Sequence, residues 1–265
     1  MAAAGTNRFL LRDVSASYGR REALSGVDLD LGTGEVVALL GENGSGKSTL
    51  LKLLAGLLPP TSGTLTLDGR PASDLTRRDA ARRIGYLPQS FEPLFPASAL
   101  EMVLLGRTAY LGLLGAPRAE DHAAARRALE ETGTAAFADR DVREMSGGER
   151  QRVFLSRVLA GETDILLLDE PAANLDPRHR FLVVRILRRK AASGGLVVFS
   201  THEMDVAAAA ADRVVLLREG HVVEDGPVRE TLTAKVLTQL FGVPAVVSTG
   251  PSGRPLVSLA GDGPG

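Results

Sequence analysis

The order of apolar and polar positions divides the chain into strand-like and helix-like stretches. Residues 9–14 and 27–31 alternate, as strands with one covered face do, whereas Val36-Val-Ala-Leu-Leu40 is apolar throughout, as a strand buried on both faces must be. Thr33-Gly34 marks the turn between the last two. Leu40 runs into a glycine-rich segment and then a leucine-rich stretch, 50–58, that predicts a buried helix stopped by Gly56 and Pro59-Pro60. Residues 64–67 predict a strand closed by an Asp68-Gly69 hairpin turn. Between about 91 and 150, Pro93, Pro96, Gly106, Gly112, Gly115 and Pro117 break up the apolar pieces, and 119–131 reads as a charged, alanine-rich helix. Beyond it come a helix over 147–160, a strand over 164–168, a helix over 178–190 and a strand over 196–200, then an alanine-rich helix and a strand over 213–217.

Strands alternating with helices imply a parallel sheet covered on its faces by helices. The division that follows is a core of 1–90 with 151–225, whose N-terminal part is a β subdomain, and an inserted helical subdomain over 91–150. Residues 226–265 follow as a helix over 229–241 and a hairpin pairing 245–247 with 256–259 around Gly250 to Gly253, with the last five residues frayed.

Composition narrows the chemistry. Thirty-one basic against 32 acidic side chains in 265 residues give a net charge of −1, which does not indicate nucleic acid as a partner. There is no cysteine, so disulfides, thiolate metal sites and cysteine nucleophiles are excluded, and His122, His179, His202 and His221 are too scattered for a zinc motif. The start carries no secretory pattern and no apolar run reaches 18 residues, so a soluble cytosolic chain is expected.

Gly41 to Ser48, GENGSGKS, satisfies G-x-x-x-x-G-K-[ST] between a buried strand and a helix, the context in which this pattern cradles phosphate. Its glycines let the backbone bend so that successive N–H groups point at phosphate oxygens, with Gly41, Asn43, Gly44, Ser45, Gly46 and Thr49 as the expected binding residues, and the N-terminus of the following helix adds positive potential. Lys47 would reach the β- and γ-phosphates and Ser48 would coordinate Mg²⁺. Ile165-Leu-Leu-Leu carries Asp169 and Glu170 to a sheet edge. Adjacent carboxylates suggest divided labour, Asp169 on the metal and Glu170 polarising the attacking water.

Ser146-Gly147-Gly148-Glu149-Arg150-Gln151 resembles the signature of the ATP-binding cassette (ABC) ATPases. The rest of that family's set appears in order over about 8–225: Tyr18 resembles the aromatic residue that stacks on adenine, Gln89 the Q-loop glutamine, Asn174-Leu-Asp176 the D-loop and His202 the switch histidine. The signature reads Met-Ser-Gly-Gly-Glu where Leu-Ser-Gly-Gly-Gln is commoner, and the D-loop Ala-Asn-Leu-Asp where Ser-Ala-Leu-Asp is commoner. The resemblance implies an α/β P-loop NTPase (RecA-like) core with an antiparallel β subdomain and an inserted α-helical subdomain. It implies ATP and Mg²⁺, with Glu170, His202 and Gln89 in catalysis and Ser48, Gln89 and Asp169 around the metal.

In that family the signature lies across a dimer from the phosphate loop. With one of each, this chain would need a second, head-to-tail copy for complete sites. An importer ATPase with separate permease chains, peripheral on the cytoplasmic face of the membrane and served indirectly by a substrate-binding protein, fits best. A soluble ABC protein of DNA repair or translation would carry tandem cassettes or a long coiled coil, and an inactive regulator conflicts with Lys47, Asp169, Glu170 and His202. LGRTAYLG and the tail ADRVVLLREGHVVEDGP resemble the ATPases of iron-siderophore, haem and cobalamin importers. Zinc or manganese importers and exporters stay open. The apolar residues Phe91, Leu94, Phe95, Leu104, Leu105, Tyr110, Leu111, Leu113 and Leu114 would divide between the subdomain's own core and a docking surface for a partner helix.

Overall fold

The computed structural model describes residues 7–93, 95–111, 115–242, 244–250 and 253–259. Leu94, Leu113 and Leu114 and the last five residues, for which docking and fraying are expected, lie outside these.

The chain opens with a long hairpin, β1 (Asn7–Tyr18) and β2 (Arg21–Gly32), followed by β3 (Val36–Leu40), α1 (Lys47–Leu54), β4 (Ser62–Leu67), β5 (Arg70–Pro71), α2 (Arg77–Arg83) and β6 (Ile84–Leu87). The 91–150 segment contributes α3 (Ala99–Leu104) and α4 (Ala119–Glu131). Then come α5 (Gly147–Ala160), β7 (Ile165–Asp169), α6 (Pro177–Ala192), β8 (Leu196–Ser200), α7 (Met204–Ala210), β9 (Arg213–Arg218) and β10 (His221–Pro227). The tail forms α8 (Val228–Thr231), α9 (Ala234–Phe241), β11 (Ala245–Thr249) and β12 (Pro255–Leu259).

The central sheet has the order β10-β9-β3-β8-β7-β6, parallel except for the edge strand β10, and a four-stranded antiparallel sheet has the order β2-β1-β4-β5. This is the mixed α/β P-loop architecture expected. The continuous apolar run of β3 explains itself here. Val36, Ala38 and Leu40 enter one core with α3 to α7, while Val37 and Leu39 enter the other with α1 and the antiparallel sheet. A strand covered on both faces has no polar position to spare, and each buried valine or leucine contributes about 1.5–3 kcal/mol.

Two local expectations need correction. The helix after the phosphate loop ends at Leu54, not beside Pro59, because Gly56 adopts φ +69. The N–H of Leu57 then donates to Lys52 O at 2.9 Å and that of Gly56 to Leu53 O at 3.0 Å, a Schellman closure that leaves Leu57 62% exposed. The single helix over 229–241 is two: Leu232 leaves helical geometry, and Thr233 Oγ1 accepts from Val236 N at 3.3 Å to start a new helix. The short α2, β6 and the polar edge strand β10 carry too little apolar periodicity to predict. Helix α5 runs unbroken across residue 150, so one helix carries the inserted segment into the core. The C-terminal hairpin forms with the expected pairing, Ala245 opposite Leu259 and Val247 opposite Val257.

Candidate nucleotide site

The chain leaves β3 into a loop that only glycine permits. Gly41 has φ +152, and a Cβ there would stand 2.2 Å from Leu217 O; Gly46 has φ +109, and its Cβ would stand 2.8 Å from Leu24 Cδ2. Both conformation and space therefore exclude a side chain at these two positions. The loop delivers Lys47 to the first turn of α1, 6% exposed, with Nζ donating to Gly41 O at 2.7 Å and Glu42 O at 2.9 Å. Burial pushes its ammonium below the ordinary lysine value, against the opposing pull of Glu170 and Asp169.

A cleft of about 850 Å³ opens over this loop. It gathers Tyr18, Asn43, Gly44, Gly46, Lys47, Ser48, Thr49, Gln89 and Glu170 from four separate stretches of sequence. The Tyr18 ring is 46% exposed at the end of β1, free to stack, with Lys52 Nζ 5.7 Å from its centroid. Ser45 is buried beneath the loop, its hydroxyl without a hydrogen-bond partner among the described residues.

Behind the cleft, β7 and β8 end in register, Asp169 beside Ser200. Asp169 is 3% exposed and accepts a hydrogen bond from Ser200 Oγ, which in turn accepts from Glu170 N–H at 3.0 Å. Glu170 holds φ +50, an uncommon conformation for a residue with a side chain, and its Oε1 lies 3.2 Å from His202 Nδ1. His202 thus reaches Glu170 without lining the cleft itself. At the end of β6, leading to Gln89, Tyr86 has its phenol pushed up to about 12, first by burial and then by the charge of Asp169.

Ser146, Gly147, Gly148, Glu149 and Asp176 do not line this cleft. Ser146 caps α5 in a reciprocal box: Glu149 N–H donates to Ser146 Oγ at 3.3 Å, and Ser146 N–H donates to Glu149 Oε2 at 2.8 Å. The second bond holds the Glu149 carboxyl below its ordinary value. Glutamate closes this box as glutamine would, so the departure from the commoner signature costs the helix nothing. Asp176 caps α6, accepting from His179 N–H at 3.0 Å and facing His179 Nδ1 at 2.7 Å, which holds its carboxyl low. The two caps adjoin, a Cβ at Gly148 standing 3.3 Å from Leu175 Cδ2.

Several cleft residues carry no motif: Arg21, Glu22, Ala23, Glu219 and Gly220. Glu219-Gly220, both at positive φ, form the β9–β10 turn, and Gly220 N–H donates to Ser45 O at 3.0 Å, bracing the phosphate loop. A Glu-Gly pair between two strand-like runs was the available signal. In the inserted segment, Phe91 and Leu104 pack on the core, while Phe95 is 55% and Leu105 40% exposed. No described helix is long and apolar enough to cross a membrane.

The description of the ABC transporter family matches residues 24–173. Over 229 residues the chain is 44% identical to the Hemin import ATP-binding protein HmuV of Streptomyces coelicolor, covering 86% of this chain and 81% of that one. A putative metal-chelate type ABC transporter in an inward-facing conformation superposes with a TM-score of 0.82 at 29% identity, covering 96% of this chain and 98% of its own. A dimeric bacterial ABC transporter cassette superposes with a TM-score of 0.74 at 30% identity, covering 83% and 98%. With the phosphate loop, the paired carboxylates and the signature all in place, the chain belongs to the ABC transporter family, as an ATP-binding and ATP-hydrolysing subunit.

Proposed function

We propose that the chain is the ATPase of a hemin importer, acting as a head-to-tail pair on separate permease subunits at the cytoplasmic face of the membrane. The observation that carries the pairing is the separation of two half-sites. The phosphate-binding cleft contains Lys47 but not the signature, and the signature caps an exposed helix end whose Gly147 and Gly148 N–H groups have no acceptor among the described residues. Two-fold pairing would bring each signature to the partner's cleft. Among the described residues of the inserted segment, Phe95, Leu105 and Tyr110 are the large exposed apolar and aromatic side chains available to a permease helix, and the relatives named for hemin import support the cargo.

Within the cleft, Lys47 binds the β- and γ-phosphates, Tyr18 stacks on the base, and the loop amides from Asn43 to Thr49 hold phosphate oxygens. The donor set of Asp169, Ser48 and Gln89 suits Mg²⁺, which takes few protein ligands beside phosphates and water; among the described residues no group of three or more His, Cys, Asp or Glu could hold a metal by itself. Bound Mg²⁺ supplies charge neutralisation at the phosphates. Glu170 accepts the proton of the attacking water, and His202, at 3.2 Å, orients it and senses the γ-phosphate.

The test is uptake into proteoliposomes carrying this chain, its neighbouring permease and the matching substrate-binding protein. ATP-dependent accumulation of hemin is expected. Accumulation of a ferric siderophore or cobalamin in its place would overturn the cargo, and ATP hydrolysis without any permease association would overturn the importer assignment.

A further inference from the structure

The bond network behind the cleft is centred on a residue two positions before His202 to which no motif assigns a role. Ser200 is the last residue of β8, fully buried, and lies in register with Asp169 of β7. A serine hydroxyl has one proton to donate and lone pairs to accept with. Both roles are in use. Glu170 N–H can only donate, so at 3.0 Å it takes an acceptor lone pair of Ser200, and the hydroxyl proton is directed to Asp169 Oδ1. One oxygen of Asp169 is thereby engaged, which fixes the rotation of the carboxylate and leaves Oδ2 to face away from the serine.

The same hydroxyl restrains the next residue. Glu170 sits at φ +50, which a non-glycine residue keeps only when its surroundings over-determine it. Ser200 holds its N–H, and Gln151 Nε2 donates to its carbonyl at 3.4 Å. Pinned from both sides, the peptide aims the Glu170 carboxylate toward His202.

We propose that Ser200 is a positioning residue for ATP hydrolysis, orienting the metal-shell carboxylate of Asp169 and the water-polarising carboxylate of Glu170 through one hydroxyl. This rests on the roles given to those two residues above. An alanine in its place leaves the Glu170 N–H without this acceptor and frees Asp169 to rotate. Both faults act on the hydrolytic step more than on nucleotide binding, which depends on Lys47 and the loop amides.

The experiment uses the purified full-length chain with Ser200→Ala and Ser200→Thr, and with Ser200→Val as the isosteric counterpart of threonine should alanine not fold. For Ser200→Ala, kcat is expected to fall about tenfold, the ratio that goes with one hydrogen bond to a charged group, with KM for ATP within about twofold. The half-saturating Mg²⁺ concentration is expected to rise, and threonine to restore both. A second readout needs no turnover: in a Glu170→Gln background, Ser200→Ala should shrink the gain in affinity for a fluorescent ATP analogue between EDTA and Mg²⁺, leaving the EDTA value unchanged. Wild-type kcat and Mg²⁺ requirement in Ser200→Ala, or threonine and valine behaving alike, would overturn the proposal. Failure of the underlying roles shows separately, as wild-type hydrolysis by Glu170→Gln or an undiminished Mg²⁺ effect on affinity in Asp169→Asn.

Discussion

The ends of α1 and α5 are both helix N-termini opened by glycines, yet the fold treats them in opposite ways. At α1 the loop buries Gly41 and its Ser45–Lys47 end, Lys47 being 6% exposed, and residues from five stretches of sequence converge on one cleft. At α5 the N-terminal Ser146 and Gly147 are exposed, and the bonds there are local, the Ser146–Glu149 box with the Asp176–His179 cap beside it. The same backbone chemistry thus serves a site that the chain assembles for itself in one case and a surface offered outward in the other. A site whose groups converge can bind alone. One whose groups diverge has meaning only against another surface.

The largest effect that would break this contrast belongs to the self-assembled end. Lys47→Ala is expected to remove nucleotide binding or nearly so, read by direct titration of ATP, and any residual turnover should carry a loss of about 3–4 kcal/mol at the transition state, read from kcat/KM. Unchanged affinity would mean the buried cleft is not the phosphate site. Glu170→Gln should next slow cleavage by about 10²–10⁴-fold, the worth of a positioned base, while trapping an ATP-bound dimer. Sedimentation with and without Mg-ATP measures this, and a monomer in saturating ATP would refute the role. Ser146→Arg attacks the outward-facing end: ATP binding by the monomer should stay within about twofold while hydrolysis is lost, the charge-bearing chain blocking a partner's cleft. Normal turnover in that variant would dissolve the distinction between the two ends. The smallest effect lies in the cap itself. Hydrogen bonding from Ser146 lowers the Glu149 pKa on folding, so its stabilisation is complete above the ordinary glutamate value of 4.5 and fades as pH falls through the folded value. Thermal unfolding of wild type and Glu149→Gln should therefore converge on acidification, and curves that stay parallel would show that the carboxylate's charge adds nothing to the cap.

Much of this was readable in advance. The strands over 36–40 and 196–200 and the helices over 119–131 and 147–160 form with the boundaries their patterns suggest, since burial on both faces or along one stripe leaves a periodic signature. The phosphate loop was legible because its glycines answer a local steric demand. The break between α8 and α9 was not, since Leu232 is fully buried and periodicity runs straight through it; a threonine hydroxyl decided the matter. Nor was β10, an edge strand whose largely exposed residues need no apolar alternation.

The sequence by itself determined most of the strands and helices and marked the side chains proposed for phosphate, metal and water, because those readings depend on neighbours a few residues away. The tertiary structure decided that β8 runs between β3 and β7, which puts Ser200 beside Asp169 although 30 residues separate it from Glu170. It also decided that the signature caps a helix away from the cleft of its own chain. Strand order is settled by the summed packing of two cores on opposite faces of one sheet, a quantity no short window of sequence contains.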